Sequence, residues 1–197
     1  MFNSLYFSEI ILYFTIYSFI GWLLEVLYVI YNSKKFVNRG FLFGPFCPIY
    51  GLGVLLLITI LQPIINYPFF FFLGAIIITS VLEYLTGFIL ESIFKTNWWD
   101  YSDQKYNLNG KICLKFSIYW GILSLILFYF IHPSIVSLIS LIISNFSLYL
   151  SLIFLSYFII DFIFSLIFII NLKKILNRLD NFKDKYQENL NNLKIKS

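Results

Sequence analysis

Charge is the scarcest property of this chain. Of its 197 residues only 12% are Asp, Glu, Lys or Arg, against about 25% in soluble domains, while 60% are hydrophobic. That balance excludes a soluble globular domain and indicates an integral membrane protein. The only cysteines, Cys47 and Cys113, supply no disulfide framework, since both fall in or beside loops assigned below to the cytoplasm, where disulfides are rare. The single histidine, His132, reads as an interfacial residue at the outer end of a helix rather than as a ligand. With no metal-binding motif either, neither a metal nor another cofactor is expected. No G-x-x-x-x-G-K-[ST] segment occurs, which excludes ATP hydrolysis by the P-loop route. The net charge of +4 is no footprint of nucleic acid, because the basic residues form short clusters flanking apolar runs.

What the chain does have is apolar length. Runs near the roughly 20 residues that a spanning helix needs cover 6–31, 48–65, 69–94, 116–132 and 146–172. The fold class is therefore all-α, a polytopic membrane bundle of five helices. The second run is short and followed by Asn66-Tyr67-Pro68, so helices two and three should form a tight hairpin with Pro68 in the first turn of the latter. The apolar stretch 133–145 is either an interfacial segment or a continuation of helix four beyond a proline kink.

Basic residues then set orientation. Lys34, Lys35 and Arg39 lie in the first loop, Lys95, Lys105, Lys111 and Lys115 in the third, and Lys173, Lys174 and Arg178 open the tail. With five crossings all three regions share one side, which the positive-inside rule makes cytoplasmic. The N-terminus is then outside, and the first helix doubles as the insertion signal because no basic n-region precedes it. Residues 1–172 form the transmembrane domain. The tail, 173–197, repeats Leu172, Leu176, Leu179, Phe182 and Tyr186 at spacings of three and four and reads as a cytoplasmic amphipathic helix.

Inside the apolar runs lie Glu25, Glu83, Glu91 and Asp161, with no Lys or Arg among them. An ionisable group costs about 2.5–3.5 kcal/mol at the centre of a spanning helix on insertion scales, so such residues face the bundle interior and mark ion or substrate pathways. Glu25 and Glu91 fall toward the cytoplasmic boundary, where pairing with loop cations such as Arg39 or Lys95 is the plain structural alternative. Glu83 and Asp161 fall near mid-membrane. Ser80, Glu83, Gly87 and Glu91 share one helical stripe, as do Ser147, Ser151, Asp161 and Ser165, which suggests a polar line from bundle centre to cytoplasmic face.

Gly21 to Glu25 and Gly87 to Glu91 are both G-x-x-x-E, and each is followed by a basic loop with a glycine after a polar residue, Arg39-Gly40 and Asn109-Gly110. Superposing those loop glycines puts Phe46 on Phe116 and Gly51 on Gly121. This pattern suggests a tandem parallel repeat of two hairpins, 6–65 and 69–132. It would set Glu25 and Glu91 at matching depth.

The loops are dense in Gly, Pro and aromatic residues and read as folded turns. In the first, Asn38, Arg39, Gly40, Pro45 and Pro48 stand out; in the third, Trp99, Asp100, Tyr101, Asn109 and Gly110. These segments, together with Tyr17 to Glu25, resemble the bacterial family of putative ABC transporter type IV, or CmpB-like, permeases. The W-D-Y-S and N-L-x-G-x-I-C-L patterns carry the likeness, which covers helices one to four. It implies a transporter permease of the bacterial cytoplasmic membrane, working with a separate nucleotide-binding subunit, surrounded by membrane lipids and forming a homo-oligomer or pairing with another membrane subunit.

Three functions fit the residues. The leading one is transport along a carboxylate-lined path through Glu25, Glu83, Glu91 and Asp161. A second is a membrane enzyme on a lipid-linked substrate, with Glu25, Glu91 and Asp100 as acid-base or metal-binding groups and Arg39 or Lys111 holding a phosphate; no nucleophile with a base at telling spacing supports it. A third is a non-catalytic scaffold acting through Trp98, Trp99 and the tail.

Overall fold

The computed structural model describes residues 7–142 and 146–195. It is 78% helical. Helix α1 spans Phe7–Ser33, α2 Pro48–Leu61 with a 3-10 turn Gln62–Ile64, and α3 Pro68–Phe94. Two short strands follow, β1 Asn107–Leu108 and β2 Ile112–Cys113, then α4 Leu114–Ile126, a π-helical turn Leu127–Ile131, α5 His132–Ile142 and α6 Ser147–Ile195.

Among the described residues, four helical stretches are long and apolar enough to cross a membrane: Phe7–Ser33, Pro68–Phe94, Leu114–Leu141 and Ser147–Leu176. The second expected span, Pro48–Ile64, is a shorter apolar helix. Pro68 occupies the first turn of α3, as its fixed φ favours. The stretch after Pro133 continues helix four. A proline ring removes one N–H and crowds the preceding turn, and the widened π turn at Leu127–Ile131 lies directly before it, where such a bulge absorbs the misfit. The tail likewise continues α6 without a break, as a helix to Ile195. Leu172, Leu176 and Leu179 are exposed on it, and the side chains of Phe182 and Tyr186 lie outside the described residues.

Leu12, Tyr17, Leu57, Phe71, Phe128 and Ile139 belong to the main core, which joins α1, α2, α3 and the α4–α5 rod. His132 is part of this packing: its ring faces Phe128 at 5.0 Å and shares a 2.6 Å hydrogen bond between Nδ1 and the Tyr17 hydroxyl. A second cluster sets Leu42 and Phe46 of the first loop against Phe158 of α6 and Phe14 of α1. That loop therefore folds back along the helices, and the Cys47 N–H donates to the Ser18 carbonyl in the body of α1. Because α2 starts there, beside the middle of α1 rather than its end, it is short.

Candidate functional site

Irregular backbone beside apolar helices needs hydrogen-bond partners that lipid cannot give. Asp161 supplies them to the first loop. Its Oδ1 accepts from the Phe43 N–H at 3.0 Å and its Oδ2 from the Gly44 N–H at 2.9 Å. Ser165 Oγ adds a 3.3 Å bond to Oδ1. Asp161 sits mid-way along the apolar part of α6 and is 7% exposed. A side chain on Gly44 would collide with the Tyr157 hydroxyl, so only glycine lets the loop approach this closely.

The remaining first-loop residues set the turn before that anchor. Asn38 accepts from the Trp22 indole at 2.6 Å and donates to the Phe43 carbonyl at 2.7 Å. Gly40 has φ +131, a conformation that L side chains rarely adopt. Pro45 lies inside the turn, where Phe46 N–H donates to Gly44 O, and Pro48 begins α2. Arg39 leaves the turn to pair with Glu25 at 3.2 Å.

The third loop is pinned in the same manner from another helix. Tyr101 donates to Glu83 Oε1 at 3.0 Å, and its ring stacks on Phe116 at 4.7 Å. Trp99 Nε1 donates to the Lys111 carbonyl at 2.8 Å. Asp100 accepts from both the hydroxyl and the N–H of Ser102, and those two bonds, helped by Lys111, hold its carboxyl below the usual aspartate range. Asn109, at φ 53, donates to the Tyr84 hydroxyl, and Gly110, at φ 67, closes the turn by accepting from Tyr101 N–H. Burial first, and then the charge of Glu83, push the Tyr101 phenol above its ordinary range.

The four helix carboxylates do not converge. Glu91 pairs with Lys111 at 2.5 Å and is 43% exposed. Asp161 is committed to the first loop. Glu25 and Glu83, by contrast, lie close enough to interact electrostatically, and aromatic side chains join them. Tyr50 donates to Glu25 Oε1 at 2.7 Å and meets Trp120 edge to face at 5.4 Å. Trp120 lies beside the Glu83 carboxyl, although its N–H makes no hydrogen bond of acceptable geometry.

Among the described residues, three buried side-chain polar atoms have no hydrogen-bond partner: Ser18 Oγ, Glu83 Oε2 and Trp120 Nε1. Two of them, Glu83 Oε2 and Trp120 Nε1, belong to neighbouring side chains. Ser18 Oγ lies against Gly51, the next residue to Tyr50, while Trp120 touches the Tyr50 ring and Glu83 on either side. Each such atom costs about 1–3 kcal/mol.

Sequence reasoning did not single out Tyr50, Trp120 or Ser18. The superposition of Gly40 on Gly110 carried a signal for two of them, because it also sets Tyr50 on Trp120, and these are the two rings that touch. No group of three His, Cys, Asp or Glu side chains among the described residues is arranged to hold a metal ion.

Comparison with known proteins finds no curated protein and no solved structure that matches. A family model does match, that of the putative ABC-transporter type IV proteins, over residues 12–166, a segment that holds both loops, Glu25, Glu83 and the Asp161 anchor. The chain is a membrane protein of the putative ABC-transporter type IV family.

Proposed function

We propose that the chain is the membrane-embedded permease subunit of a transporter, with Glu25 and Glu83 lining its polar pathway and ATP hydrolysis supplied by a separate nucleotide-binding subunit. The observation that carries this reading is the Glu83 carboxylate, 6% exposed with one oxygen unpartnered, beside a second carboxylate and the orphaned Trp120 indole. A merely structural acid would have both oxygens satisfied, as Asp161 does. In this reading Arg39 and Glu25 form the cytoplasmic mouth, Glu83 the interior site, and Asp161 and Glu91 position the loops that enclose them. Lipid surrounds the apolar faces, and a homo-oligomer or a second membrane subunit completes so small a permease in the bacterial cytoplasmic membrane.

A parallel repeat of two hairpins suits this architecture, with the N-terminus outside, five crossings and a cytoplasmic tail from 173 onward. What supports it is contact register. Gly51 packs on Phe14 and Ser18, and Gly121 on Phe72 and Ile76; Cys47 meets Ser18, and Ser117 meets Ser80. The glycine contacts set Ser18 on Ile76 and Glu25 on Glu83, while the Cys47 and Ser117 contacts set Ser18 on Ser80, one helical turn away; in neither register are Glu25 and Glu91 equivalent, even though their motifs look alike.

The lipid-enzyme reading draws less support, because Arg39 and Lys111 are paired with Glu25 and Glu91 and the Asp100 carboxylate caps Ser102. The scaffold reading meets a similar difficulty at Trp99, whose indole N–H is turned inward to Lys111.

The test is purification of the tagged full-length chain from its native membranes in mild detergent. An ATP-hydrolysing subunit that stays with it in fixed ratio through two chromatographic steps is the expected result. A chain that purifies with no ATPase activity contradicts the permease reading.

A further inference from the structure

Glu83 faces an unusual set of neighbours. From α1 it meets Glu25, whose charge is matched by Arg39 at 3.2 Å. From α2, Tyr50 spends its hydroxyl proton on Glu25. From the third loop comes the Tyr101 hydroxyl, itself within the influence of Cys113 and Glu25. The α4 side contributes the Trp120 indole, and one turn along α3 Lys111 packs over Gly87 with its ammonium on Glu91. The two cations nearest this region are therefore each engaged by another carboxylate, and no Lys or Arg among the described residues forms an ion pair with Glu83.

A carboxylate buried without a cation and next to a second carboxylate is unstable in its charged form, since two like charges in low dielectric cannot both persist unpaired. Glu25 has its cation; Glu83 does not. No third His, Cys, Asp or Glu among the described residues joins the two carboxylates, and a proton is the cation that a single unpartnered carboxylate oxygen can hold by itself. Oε1, holding the Tyr101 hydrogen bond, is then the carbonyl oxygen, and Oε2, the unpartnered atom, carries the hydrogen.

We propose that Glu83 is an exchangeable proton site, neutral at physiological pH, beside a Glu25 that is paired with Arg39; this deepens the pathway reading above and rests on it. The step is a proton transfer alone: the Oε2–H bond breaks to give a carboxylate and a proton on an acceptor entering the site, and the reverse step restores it. Transport through this site is accordingly coupled to the protonation of Glu83.

Infrared spectroscopy of the full-length protein reconstituted into phosphatidylcholine vesicles tests this directly. The expected spectrum at neutral pH contains a carboxylic-acid C=O stretch that moves to lower frequency in heavy water. Glu83→Gln should abolish the band, and Glu25→Gln should leave it in place. Tyr101→Phe, which keeps the acid and removes only its hydrogen bond, should move it to higher frequency. Absence of the band in the unaltered protein, or a band that survives Glu83→Gln, overturns the proposal. Should the Gln protein fail to fold, an unshifted band in Tyr101→Phe overturns it equally. A missing ATPase partner would sink the permease reading and leave this band intact, so the two failures are distinguishable.

Discussion

The hydroxyl of Tyr101 reaches out of the third loop to Glu83 Oε1, 3.0 Å away in the middle of α3. A loop residue thus completes the surroundings of a helix acid. The first loop does the same with Asp161 of α6. Each basic loop is thus hydrogen-bonded to a carboxylate in the body of a helix.

Removing the Tyr101 hydroxyl should weaken that fold without disturbing its packing. Phenylalanine keeps the stack on Phe116 and leaves Glu83 with neither oxygen bonded, which costs about 1–3 kcal/mol. Thermal unfolding in detergent should show a lower midpoint for Tyr101→Phe. An unchanged midpoint would mean that the loop is held elsewhere.

Gly21 is where α1 makes room for Tyr50. A Cβ there would overlap the Tyr50 ring, so Gly21→Ala should push the phenol away from Glu25. Overpacking of this kind costs about 1–3 kcal/mol. Replacing Tyr50 by a smaller residue in the same protein should recover part of the loss, and a purely additive double variant would contradict the contact.

Cys47 reports on the first loop. It is 5% exposed, donates to the Arg39 carbonyl, and its thiol is pushed up to about 12, mainly by burial and then by the charge of Glu25, with Arg39 offsetting part. A thiol with its pKa raised stays protonated, and therefore unreactive, throughout the neutral range. Maleimide should leave Cys47 unlabelled in the folded protein, with Cys47→Ala as the control for Cys113. Asp161→Asn removes the anchor of Phe43 and Gly44 and should raise the labelling rate at least tenfold. Equal rates in both proteins would remove Asp161 from this role.

The ion pair of Glu91 and Lys111 should matter little by itself. Glu91 is 43% exposed, and pairs in contact with solvent contribute about 0–1 kcal/mol. A double-mutant cycle with Glu91→Gln and Lys111→Met should return a coupling in that range; a value several-fold larger would place the pair in a drier setting than its exposure indicates.

Much of this arrangement was legible in the sequence. Apolar length located the long helices, Pro68 marked the start of α3, and the Gly-Pro-aromatic content of the loops announced that they are folded. The acids were visible too, but not their division of labour. Asp161 looked unpartnered because its partners are backbone N–H groups of residues far away in the chain, which no composition or periodicity discloses. The nearness of Glu83 to Glu25 was hidden for a related reason: the repeated G-x-x-x-E spelling drew attention to a local motif, whereas the close approaches of α2 to α1 at Gly51 and of α4 to α3 at Gly121 are not spelled in it. Pro133 suggested either a kink or an interfacial segment, and the π turn before it lets the helix run on. Tyr50 and Trp120, ordinary aromatics in a chain rich in them, acquire meaning only by touching each other.

The central claim is that Glu83 and Glu25, and not Asp161 or Glu91, carry the function. ATP turnover by the complex purified from native membranes, measured in lipid for single variants, tests it most directly. Glu83→Gln and Glu25→Gln should lower turnover at least tenfold while the subunits remain assembled, and Glu91→Gln should stay within about twofold of the unaltered complex, as expected for an exposed pair. Full turnover in Glu83→Gln, or a greater loss in Glu91→Gln than in Glu83→Gln, would contradict the account.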